Sequence, residues 1–564
     1  MAFSNILAAV GDAGRFQVIH VIFLIIPMMM LASHNLLQNF SAATPGHRCR
    51  VPWMENASRG DHGDSSWNSS EEDLLRVAIP WEQDSLSRCS RYVRPQWQLL
   101  LNDSADVSDQ VGIEGCVDGW EFDSSEFSST IVTEWCLVCE NQGMKQMAQS
   151  VYMAGVLIGA IVMGGLADIF GRRNVMLVNN LIVAVTGTCA AFSPSINAYI
   201  VARFLLGLGI MGSYLNAYSL GLEWLDTRHR VVFATTMAYA YTTGQFVLAG
   251  LAYAIRDWRS LQFCVSAPYF LFFAFSWFHP ESARWLMLQG RYKDALKGFK
   301  HVAKINSRNI TNDLLSVEVL KKAMESSSVP TKKTYTAFDL LKLVELRRRT
   351  FIISLIWFAT SFCYFGVAMN LQGFRMNIFV LMLIFSAVDF PATLVVLAMI
   401  SFIGRRAATG TPLLLAGCTC IAVVFIPADM ELLRTSFAVV GKGAVAGAFN
   451  TLFLVAGEIY PTVIRQVGMG TTSTMARVGG MLAPLVTISG EIYPLLPQII
   501  YGGVSLIAGL VAFLLPEMLN KPLPDTIEDL RCQNMSRKSK RQANGEKATA
   551  TSLLVSKTLQ ESDI

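Results

Sequence analysis

The chain has 564 residues, of which 52% are hydrophobic and only 16% carry a charge. Soluble domains usually carry a charge on about a quarter of their residues, so this composition excludes an ordinary soluble domain and indicates a membrane-embedded chain. The net charge of +4 is mild and gives no reason to expect a nucleic acid as a partner.

Apolar stretches long enough to cross a bilayer, about 20 residues each, recur along the chain. We predict twelve of them and therefore an all-α membrane protein. The predicted spans are 16–36, 144–167, 174–193, 198–221, 231–253, 259–279, 350–370, 378–402, 407–427, 434–457, 467–489 and 497–516. The residues before them, 1–15, lack the basic leader and small-residue cleavage site of a signal peptide, so we expect the first span to remain in the protein.

A long acidic loop, residues 37–143, separates the first two spans. It holds 18 acidic residues against seven basic ones, five of the eleven cysteines and four Asn-x-Ser/Thr sequons. Such a segment is typical of the extracellular, oxidising side of a membrane. The sequons, any of which can stay unmodified, place candidate glycans at Asn39, Asn56, Asn68 and Asn102. The cysteines are Cys49, Cys89, Cys116, Cys136 and Cys139, an odd number that leaves one thiol spare.

A long basic loop, residues 280–349, separates spans six and seven and holds fifteen Lys and Arg. Because basic residues accumulate on the cytoplasmic side, we predict that this loop, the N-terminal residues 1–15 and the C-terminal tail 517–564 are cytoplasmic. Spans two to six then occupy 144–279, and spans seven to twelve occupy 350–516.

Three short patterns occur twice in the same order. "GGLADIFGRRN" follows span two and "SFIGRRA" follows span eight; "GLEWLDTRHR" and "GEIYPTVIRQ" end spans four and ten; "HPESARWL" and "LPEMLNKPL" end spans six and twelve. The partners are separated by 233, 235 and 236 residues, for Arg172 to Arg405, Glu223 to Glu458 and Glu281 to Glu517. We therefore predict two pseudo-symmetric six-helix bundles produced by duplication.

The repeated patterns place charges at the predicted cytoplasmic ends of spans. They are Asp168, Arg172, Arg173, Glu223, Arg230 and Glu281 in the first half, and Arg405, Glu458, Arg465 and Glu517 in the second. If they pair across the halves, they would close an inner gate, because such pairs are exposed in one state and desolvated in the other. The alternative is that they are ordinary interfacial charges that follow the positive-inside bias.

Two six-span halves with Gly-Arg-Arg loops resemble the major facilitator superfamily. The first loop, from Gly164 to Arg173, matches its Gly-x3-Asp-x2-Gly-Arg-Arg signature, whereas Ser401 replaces the Asp in the second. Further stretches resemble the organic ion transporter family of solute carriers: "MLASHNLLQNFSAATPGHRC", "STIVTEWCLVC", "PESARWL" and "LPDTIEDL". "WFATSF", "GKG", "GEIYPTVIRQVGMG" and "MARVG" resemble its organic anion transporter branch.

This resemblance implies polyspecific transport of small organic anions across a plasma membrane by alternating access around a midplane site. It also implies frequent exchange for an intracellular dicarboxylate, without a cofactor. Two disulfides are implied among Cys49, Cys89, Cys116 and Cys139, in any of three pairings. The last residues, Gln-Glu-Ser-Asp-Ile, suit a PDZ groove, a short signal that also arises by chance.

Arg477 lies in span eleven, within a run from Gly468 to Ser489 that otherwise carries no charge. An arginine at bilayer depth costs about 2.5–3.5 kcal/mol on the insertion scale, so it requires a reason. A guanidinium stays charged and can donate two N–H groups to a carboxylate or sulfate. The resemblance implies that Arg477 contacts the substrate anion. The alternative is a structural ion pair with a nearby acid, for which Asp389 is the candidate.

Aromatic and polar side chains could form the rest of a binding site. Span seven places Trp357, Ser361, Tyr364 and Phe365 on one helical face, span five offers Tyr241 and Gln245, and span ten offers Phe449. The resemblance places Tyr241, Tyr364, Phe365 and Phe449 on the cavity wall; from the residues alone, helix packing is equally expected.

Two further positions bear on the charge of that site. Lys442 is either a second buried cation for the substrate or the partner of an acid. Thr393 stands where the family carries a basic residue, which predicts a preference for monoanions and sulfate conjugates over dicarboxylates.

The sequence gives little support to other classes of function. The chain shows no Ser-His-Asp order, HExxH, P-loop or metal-ligand spacing, so we expect neither an enzyme nor a metal site nor an ATP-driven pump. A sugar carrier would share the Gly-Arg-Arg and Pro-Glu-Ser motifs, but span seven lacks the paired glutamines expected for sugar hydroxyls. Arg477 and Lys442 disfavour an organic cation carrier. A non-transporting multi-pass receptor stays open as the remaining alternative.

Overall fold

The structure, a computed structural model, describes residues 3–519 apart from 12–13, 54–70, 83–84, 101–111, 309–314, 328–335, 343, 375, 428 and 462–463. Helices make up most of the described chain, and three two-stranded sheets lie between residues 47 and 122. The sequons Asn56, Asn68 and Asn102 and the C-terminal tail from residue 520 lie outside the described residues.

The first half of the chain folds into helices from the N-terminus to the predicted cytoplasmic loop. They are α1 (Phe3–Val10), α2 (Arg15–Leu36), α3 (Gln38–Ser41), α4 (Glu71–Ala78), α5 (Ile131–Trp135), α6 (Gly143–Phe170), α7 (Arg172–Ala191), α8 (Ile196–Glu223), α9 (Thr227–Ala254), α10 (Trp258–Ser266) and α11 (Pro268–Ser276). Side-chain caps fix several starts: Ser195 accepts a hydrogen bond from the backbone N–H of Ala198 before α8, and Asp257 accepts one from Ser260 before α10.

The predicted cytoplasmic loop and the second half follow the same pattern. Their helices are α12 (Ala283–Leu288), α13 (Tyr292–Ile305), α14 (Val317–Ser327), α15 (Ala337–Lys342), α16 (Val344–Ala368), α17 (Ile378–Ala387), α18 (Asp389–Phe402), α19 (Arg405–Phe425), α20 (Glu431–Ile459), α21 (Arg465–Ile488) and α22 (Leu496–Ala512). Each of the twelve predicted spans therefore coincides with one helix or with two consecutive helices.

Eight segments of the described chain are long and apolar enough to cross a membrane. They correspond to predicted spans one to four and seven to ten. The other four are shorter, interrupted or more polar, which explains the difference. Span six is divided into α10 and α11 before Pro268, span twelve is the 17-residue α22, α9 is rich in Thr and Tyr, and α21 carries Arg477 among Gly and Thr.

The predicted extracellular loop contains a small disulfide-linked fold. Strands β1 (His47–Cys49), β2 (Trp81–Glu82), β3 (Ser85–Leu86), β4 (Ser90–Tyr92), β5 (Ile113–Gly115) and β6 (Trp120–Phe122) form antiparallel pairs β1–β6, β2–β3 and β4–β5. Disulfides join Cys49 to Cys116 and Cys89 to Cys139, which selects one of the three pairings left open by the sequence. Cys136 remains a thiol, in agreement with the odd count.

Two compact units divide the chain. Unit 1 comprises Met1–Ser327, Ala368–Ser386 and Pro484–Pro494; unit 2 comprises Ser328–Val367, Ala387–Ala483 and Leu495–Ile564. The units therefore differ from the two sequence halves, because two short segments of the second half pack within unit 1.

Asn39 is buried in unit 1, where it contacts one of those two segments. This position argues against the glycan predicted at Asn39. The side chain is only 7% exposed, and its amide nitrogen donates a hydrogen bond to the carbonyl of Ala368 at 2.9 Å. The neighbouring Phe40 ring stacks on Phe379 with centroids 5.5 Å apart. A glycan requires the nitrogen that Asn39 already uses inside the protein, so we do not retain Asn39 as an acceptor.

Candidate functional site

Arg477 lies on α21 where this helix approaches α16 closely. A Cβ on Gly479 would collide with the carbonyl oxygen of Phe358, and one on Gly480 would lie 3.0 Å from the ring of Phe365. The two glycines therefore allow a helix contact that larger side chains would prevent. Arg477 is half-buried, and its Nη1 donates to the carbonyl of Ser473 at 2.8 Å.

Four of the predicted aromatic residues form one cluster in unit 2. The ring of Phe449 lies edge-on to Trp357 at 5.5 Å and 6.3 Å from Tyr364, and Tyr364 is perpendicular to Phe365 at 5.4 Å. Trp357 and Tyr364 are buried, whereas Phe365 and Phe449 are half-buried. The cluster provides an apolar wall on the same unit as Arg477, with Phe365 and Phe449 as its accessible members.

Lys442 is an ion-pair partner, and this decides between the two interpretations of the residue. Its Nζ lies 2.6 Å from Oδ2 of Asp389, and the Lys442 side chain has no solvent exposure. Asp389, the candidate partner of Arg477, pairs with Lys442 in the structure. A buried pair of this kind is costly to break, which supports Lys442 as the partner of an acid rather than as a cation for the substrate.

Thr393 is satisfied by neutral groups at the position where the resemblance implies a base. Its hydroxyl donates to the carbonyl of Asp389 at 2.8 Å and accepts from the amide of Asn450 at 2.9 Å. The site therefore lacks the second positive charge that a basic residue would add at position 393.

Tyr241 and Gln245 lie in unit 1. The Tyr241 hydroxyl accepts a hydrogen bond from the amide nitrogen of Asn35 at 3.3 Å, and Gln245 Oε1 accepts one from Ser386 at 3.5 Å. Tyr241 is half-buried and Gln245 is buried. Tyr241 is thus the more accessible of the two.

The repeated charges in the first half pair within unit 1. Arg172 lies 2.9 Å from Asp168 and 3.5 Å from Glu223. The carboxylate of Glu281 accepts the backbone N–H of Arg173 at 3.1 Å and thereby caps the first turn of α7. The Arg173 guanidinium donates to the carbonyl of Trp277 at 2.6 Å.

The equivalent charges in the second half pair within unit 2. Both oxygens of Glu458 accept from Arg405, at 2.8 and 3.0 Å. Glu517 accepts the backbone N–H groups of Arg405 and Arg406 at 3.0 and 3.1 Å. Partial burial alone would raise the pKa of Glu517, but hydrogen bonds from the backbone of Leu519, Arg405, Arg406 and Met518 outweigh it and hold the pKa below its ordinary value.

The described contacts of these arginines lie within single units, so pairing across the halves stays a prediction. The ion pairs shown for Arg172 and Arg405 lie inside one unit each, and the equivalent Arg230 and Arg465 donate to the carbonyls of Leu225 and Tyr460, each five residues back. The duplication predicted the symmetry of the clusters. It did not predict that Arg172 and Arg405 contact acids within their own units.

A polar network in unit 1 escaped the sequence interpretation. Gln149 and Tyr152 of α6 both hydrogen-bond to Asn35, and the buried Arg203 of α8 contacts both of them. The signal was available, because Arg203 is a lone charge in span four and invites the same reasoning as Arg477.

Comparisons with known proteins agree with this fold. Residues 130–529 match the family model described as "Sugar (and other) transporter". Solved structures of similar fold include a partially occluded inward-open form of the xylose transporter XylE from E. coli, which covers 68% of this chain and 90% of its own at a TM-score of 0.53. At 14% sequence identity, this likeness concerns the fold alone.

Relatives with much higher identity cover nearly the whole chain. Solute carrier family 22 member 6 of Danio rerio is 46% identical over 95% of both chains. Organic anion transporter 3 of Homo sapiens is 45% identical over 97% of both. The chain therefore belongs to solute carrier family 22, a family of major facilitator transporters and not of enzymes.

Proposed function

We propose that this protein carries organic anions across the plasma membrane by alternating access, with Arg477 as the residue that attracts the anion. The relatives named above include organic anion transporters. The observation that carries the proposal is the charge balance of unit 2. The described charges in the middle of its spans are Asp389, Lys442 and Arg477, and the first two form a neutral pair. The three side chains therefore sum to one net positive charge within these spans.

The aromatic wall favours amphipathic substrates. Phe365 and Phe449 offer apolar area to a ring system, while the guanidinium can bind a carboxylate or a sulfate through two N–H groups. The family resemblance adds Tyr241 and Gln245 as polar contacts for the substrate. A steroid sulfate or an aromatic monocarboxylate combines the two required properties, a single anionic group and a rigid apolar body.

Uptake of radiolabelled compounds by cells that express the protein tests this proposal. The panel contains a steroid sulfate, an aromatic monocarboxylate, a dicarboxylate and a quaternary ammonium ion, and uptake is divided by surface abundance. We expect wild-type protein to carry the two monoanions. Uptake of these anions should fall at least about tenfold in Arg477→Ala, whereas Arg477→Lys should keep part of it. Arg434→Ala, at the start of α20, is the matched control. Uptake of the ammonium ion, or undiminished anion uptake by Arg477→Ala, would contradict the assignment.

The single net charge further suggests monoanions over dicarboxylates, whether as substrate or as intracellular exchange partner. We expect Thr393→Lys to increase dicarboxylate uptake relative to monocarboxylate uptake, because it restores a cation beside the site. Preloading the cells with a dicarboxylate should stimulate monoanion uptake more in the variant than in wild type. An unchanged ratio of dicarboxylate to monocarboxylate uptake, together with unchanged stimulation by preloading, would contradict this part of the proposal.

The orientation in the membrane completes the proposal. We place both termini in the cytoplasm, the disulfide-linked loop outside, and a PDZ-domain protein at the C-terminal isoleucine. Epitope tags at the two ends should bind antibody only in permeabilised cells, whereas a tag between residues 54 and 70 should bind in intact cells. Removing the last three residues should abolish capture by a purified PDZ domain, and undiminished capture would contradict this contact.

A further inference from the structure

Arg203 of α8 is a fully buried cation for which the proposed transport site gives no role. It has no exposed surface. Among the described residues its Nε and Nη1 groups have no hydrogen-bond partner, and it takes part in none of the salt bridges found there. Burying an unpaired guanidinium in a membrane-spanning helix is expensive. A function that depends on its contacts would account for this cost.

Those contacts lead to two side chains of α6. Nη2 of Arg203 donates to Oε1 of Gln149 at 3.0 Å, and its guanidinium lies over the ring of Tyr152, 4.2 Å from the centroid. Both of these side chains hold Asn35 of α2. Gln149 donates to the Asn35 carbonyl at 3.1 Å, and the Tyr152 hydroxyl donates to Oδ1 of Asn35 at 2.7 Å.

Asn35 in turn donates a hydrogen bond to Tyr241. With its Oδ1 bound by Tyr152, the amide nitrogen of Asn35 is directed to the Tyr241 hydroxyl, which accepts at 3.3 Å. Each bond in this series has its donor on the side nearer to the cation. A positive charge above the Tyr152 ring makes its O–H a stronger donor, and hydrogen bonds in series strengthen one another. As a result, the hydroxyl of Tyr241 becomes a stronger hydrogen-bond donor.

We propose that Arg203 is a positioning residue that orients and polarises Tyr241, through Tyr152 and Asn35, for hydrogen bonding to the substrate anion. This inference rests on the proposed function, in which Tyr241 faces the anion. Arg203 itself stays buried and does not touch the substrate. Its unpaired charge is then useful, because an acid beside it would cancel the polarisation that reaches Tyr241.

Kinetics of uptake by single and double variants test the relay. The key variant is Tyr152→Phe, which keeps the ring under Arg203 and removes only the hydroxyl that donates to Asn35. We expect Tyr152→Phe and Arg203→Lys each to raise KM for an aromatic monocarboxylate about five-fold, with the maximal rate per surface molecule within about twofold of wild type. Tyr241→Phe should do the same, and combining it with either variant should add nothing further. Ser150→Ala, buried beside Gln149, is the control and should match wild type.

Independent effects would overturn the relay. If KM in the double variant rises by the product of the single factors, Arg203 and Tyr152 do not act through Tyr241. A purely structural role would lower surface abundance and the maximal rate and would leave KM unchanged.

A measurement without transport separates this inference from the proposed function. Purified full-length protein carrying 3-fluorotyrosine at position 241 should give a 19F resonance that shifts in Tyr152→Phe and in Arg203→Lys but not in Ser150→Ala. A shift in a protein that carries no anions would leave the relay standing and refute the proposed function. An unshifted resonance in a protein that carries anions would refute the relay alone.

Discussion

The two charge clusters at the predicted cytoplasmic ends of the halves use the same residues in different ways. In the first, Arg172 lies 2.9 Å from Asp168 and 3.5 Å from Glu223, so two acids share the arginine. In the second, Ser401 replaces the loop acid and Arg405 binds both oxygens of Glu458. The duplication has thus preserved one arginine paired with an equivalent glutamate in each half, whereas the additional loop acid is present only in the first.

The capping glutamates differ much less than the ion pairs. Gly171 and Gly404 both have positive φ, at 95° and 114°, and each is followed by a helix whose first N–H groups bind the carboxylate of Glu281 or Glu517. A carboxylate at a helix N-terminus satisfies donors that would otherwise lack partners. We infer that the caps belong to the permanent architecture of each bundle, whereas the arginine pairs are the part that can vary.

The largest expected difference between the halves concerns the acids that bind the arginines. Glu458→Gln leaves Arg405, which is 20% exposed, without the carboxylate that binds both of its donors. We expect it to lower the free energy of unfolding by about 3 kcal/mol. Glu223→Gln should cost about 1 kcal/mol, since Asp168 still binds Arg172. Thermal unfolding of purified protein in detergent measures both.

Asp168→Asn is the control for that comparison, because it removes the acid without an equivalent in the second half. If Glu458→Gln and Glu223→Gln cost the same, Asp168 does not support Arg172, and the difference between the clusters has no energetic meaning.

Replacing the glycines tests the part that the halves share. The backbone at Gly404 lies in a region of positive φ that only glycine adopts readily, and a Cβ there would lie 2.7 Å from Oε2 of Glu517. We expect Gly404→Ala and Gly171→Ala each to cost about 2 kcal/mol. Equal losses in thermal unfolding would support a common architecture. A harmless Gly171→Ala would show that the first loop can relax and the second cannot.

Much of this architecture follows from patterns along the chain. Each of the twelve stretches predicted by hydropathy coincides with helical segments, and eight of the described segments are long and apolar enough to cross a membrane. The repeated motifs located the charge clusters. Chain order does not contain the partner of each charge: Lys442 and Asp389 are 53 residues apart in sequence, and only the packing of α18 against α20 brings them together.

The candidate site was predictable to the same degree. The lone charge in span eleven and the helical face of span seven indicated Arg477, Trp357 and Tyr364 without coordinates. The Gly479–Gly480 contact that joins these helices was not foreseen, since a close approach of two backbones has no periodic signature. Arg203 lies inside span four, whose repeated motif is at its cytoplasmic end, so the motifs that define the predicted site do not include this lone charge.

A smaller change in stability should follow when an acid is introduced into the second loop at the position equivalent to Asp168. Ser401→Asp places a carboxylate four residues before Arg405, the spacing that Asp168 and Arg172 have in the first half. We expect it to stabilise wild-type protein by about 0.5 kcal/mol, because the new pair is exposed. In Glu458→Gln it should recover more, since Arg405 then lacks its main acid. A loss of stability in both backgrounds would contradict the equivalence of the two loops.

The smallest effect concerns pH and the cap of the second half. The pKa of Glu517 lies below its ordinary value in the folded protein, so the stabilisation by its carboxylate is complete above the ordinary value and is lost as pH falls through the lowered one. Because the group is half-buried and solvent still screens its charge, we expect less than about 0.5 kcal/mol. Unfolding temperatures of wild type and Glu517→Gln between neutral pH and the acid limit of folding should therefore converge as the pH falls. Curves that stay parallel for Glu517→Gln would mean that the cap stabilises α19 by its shape and hydrogen bonds alone, and that its charge adds nothing.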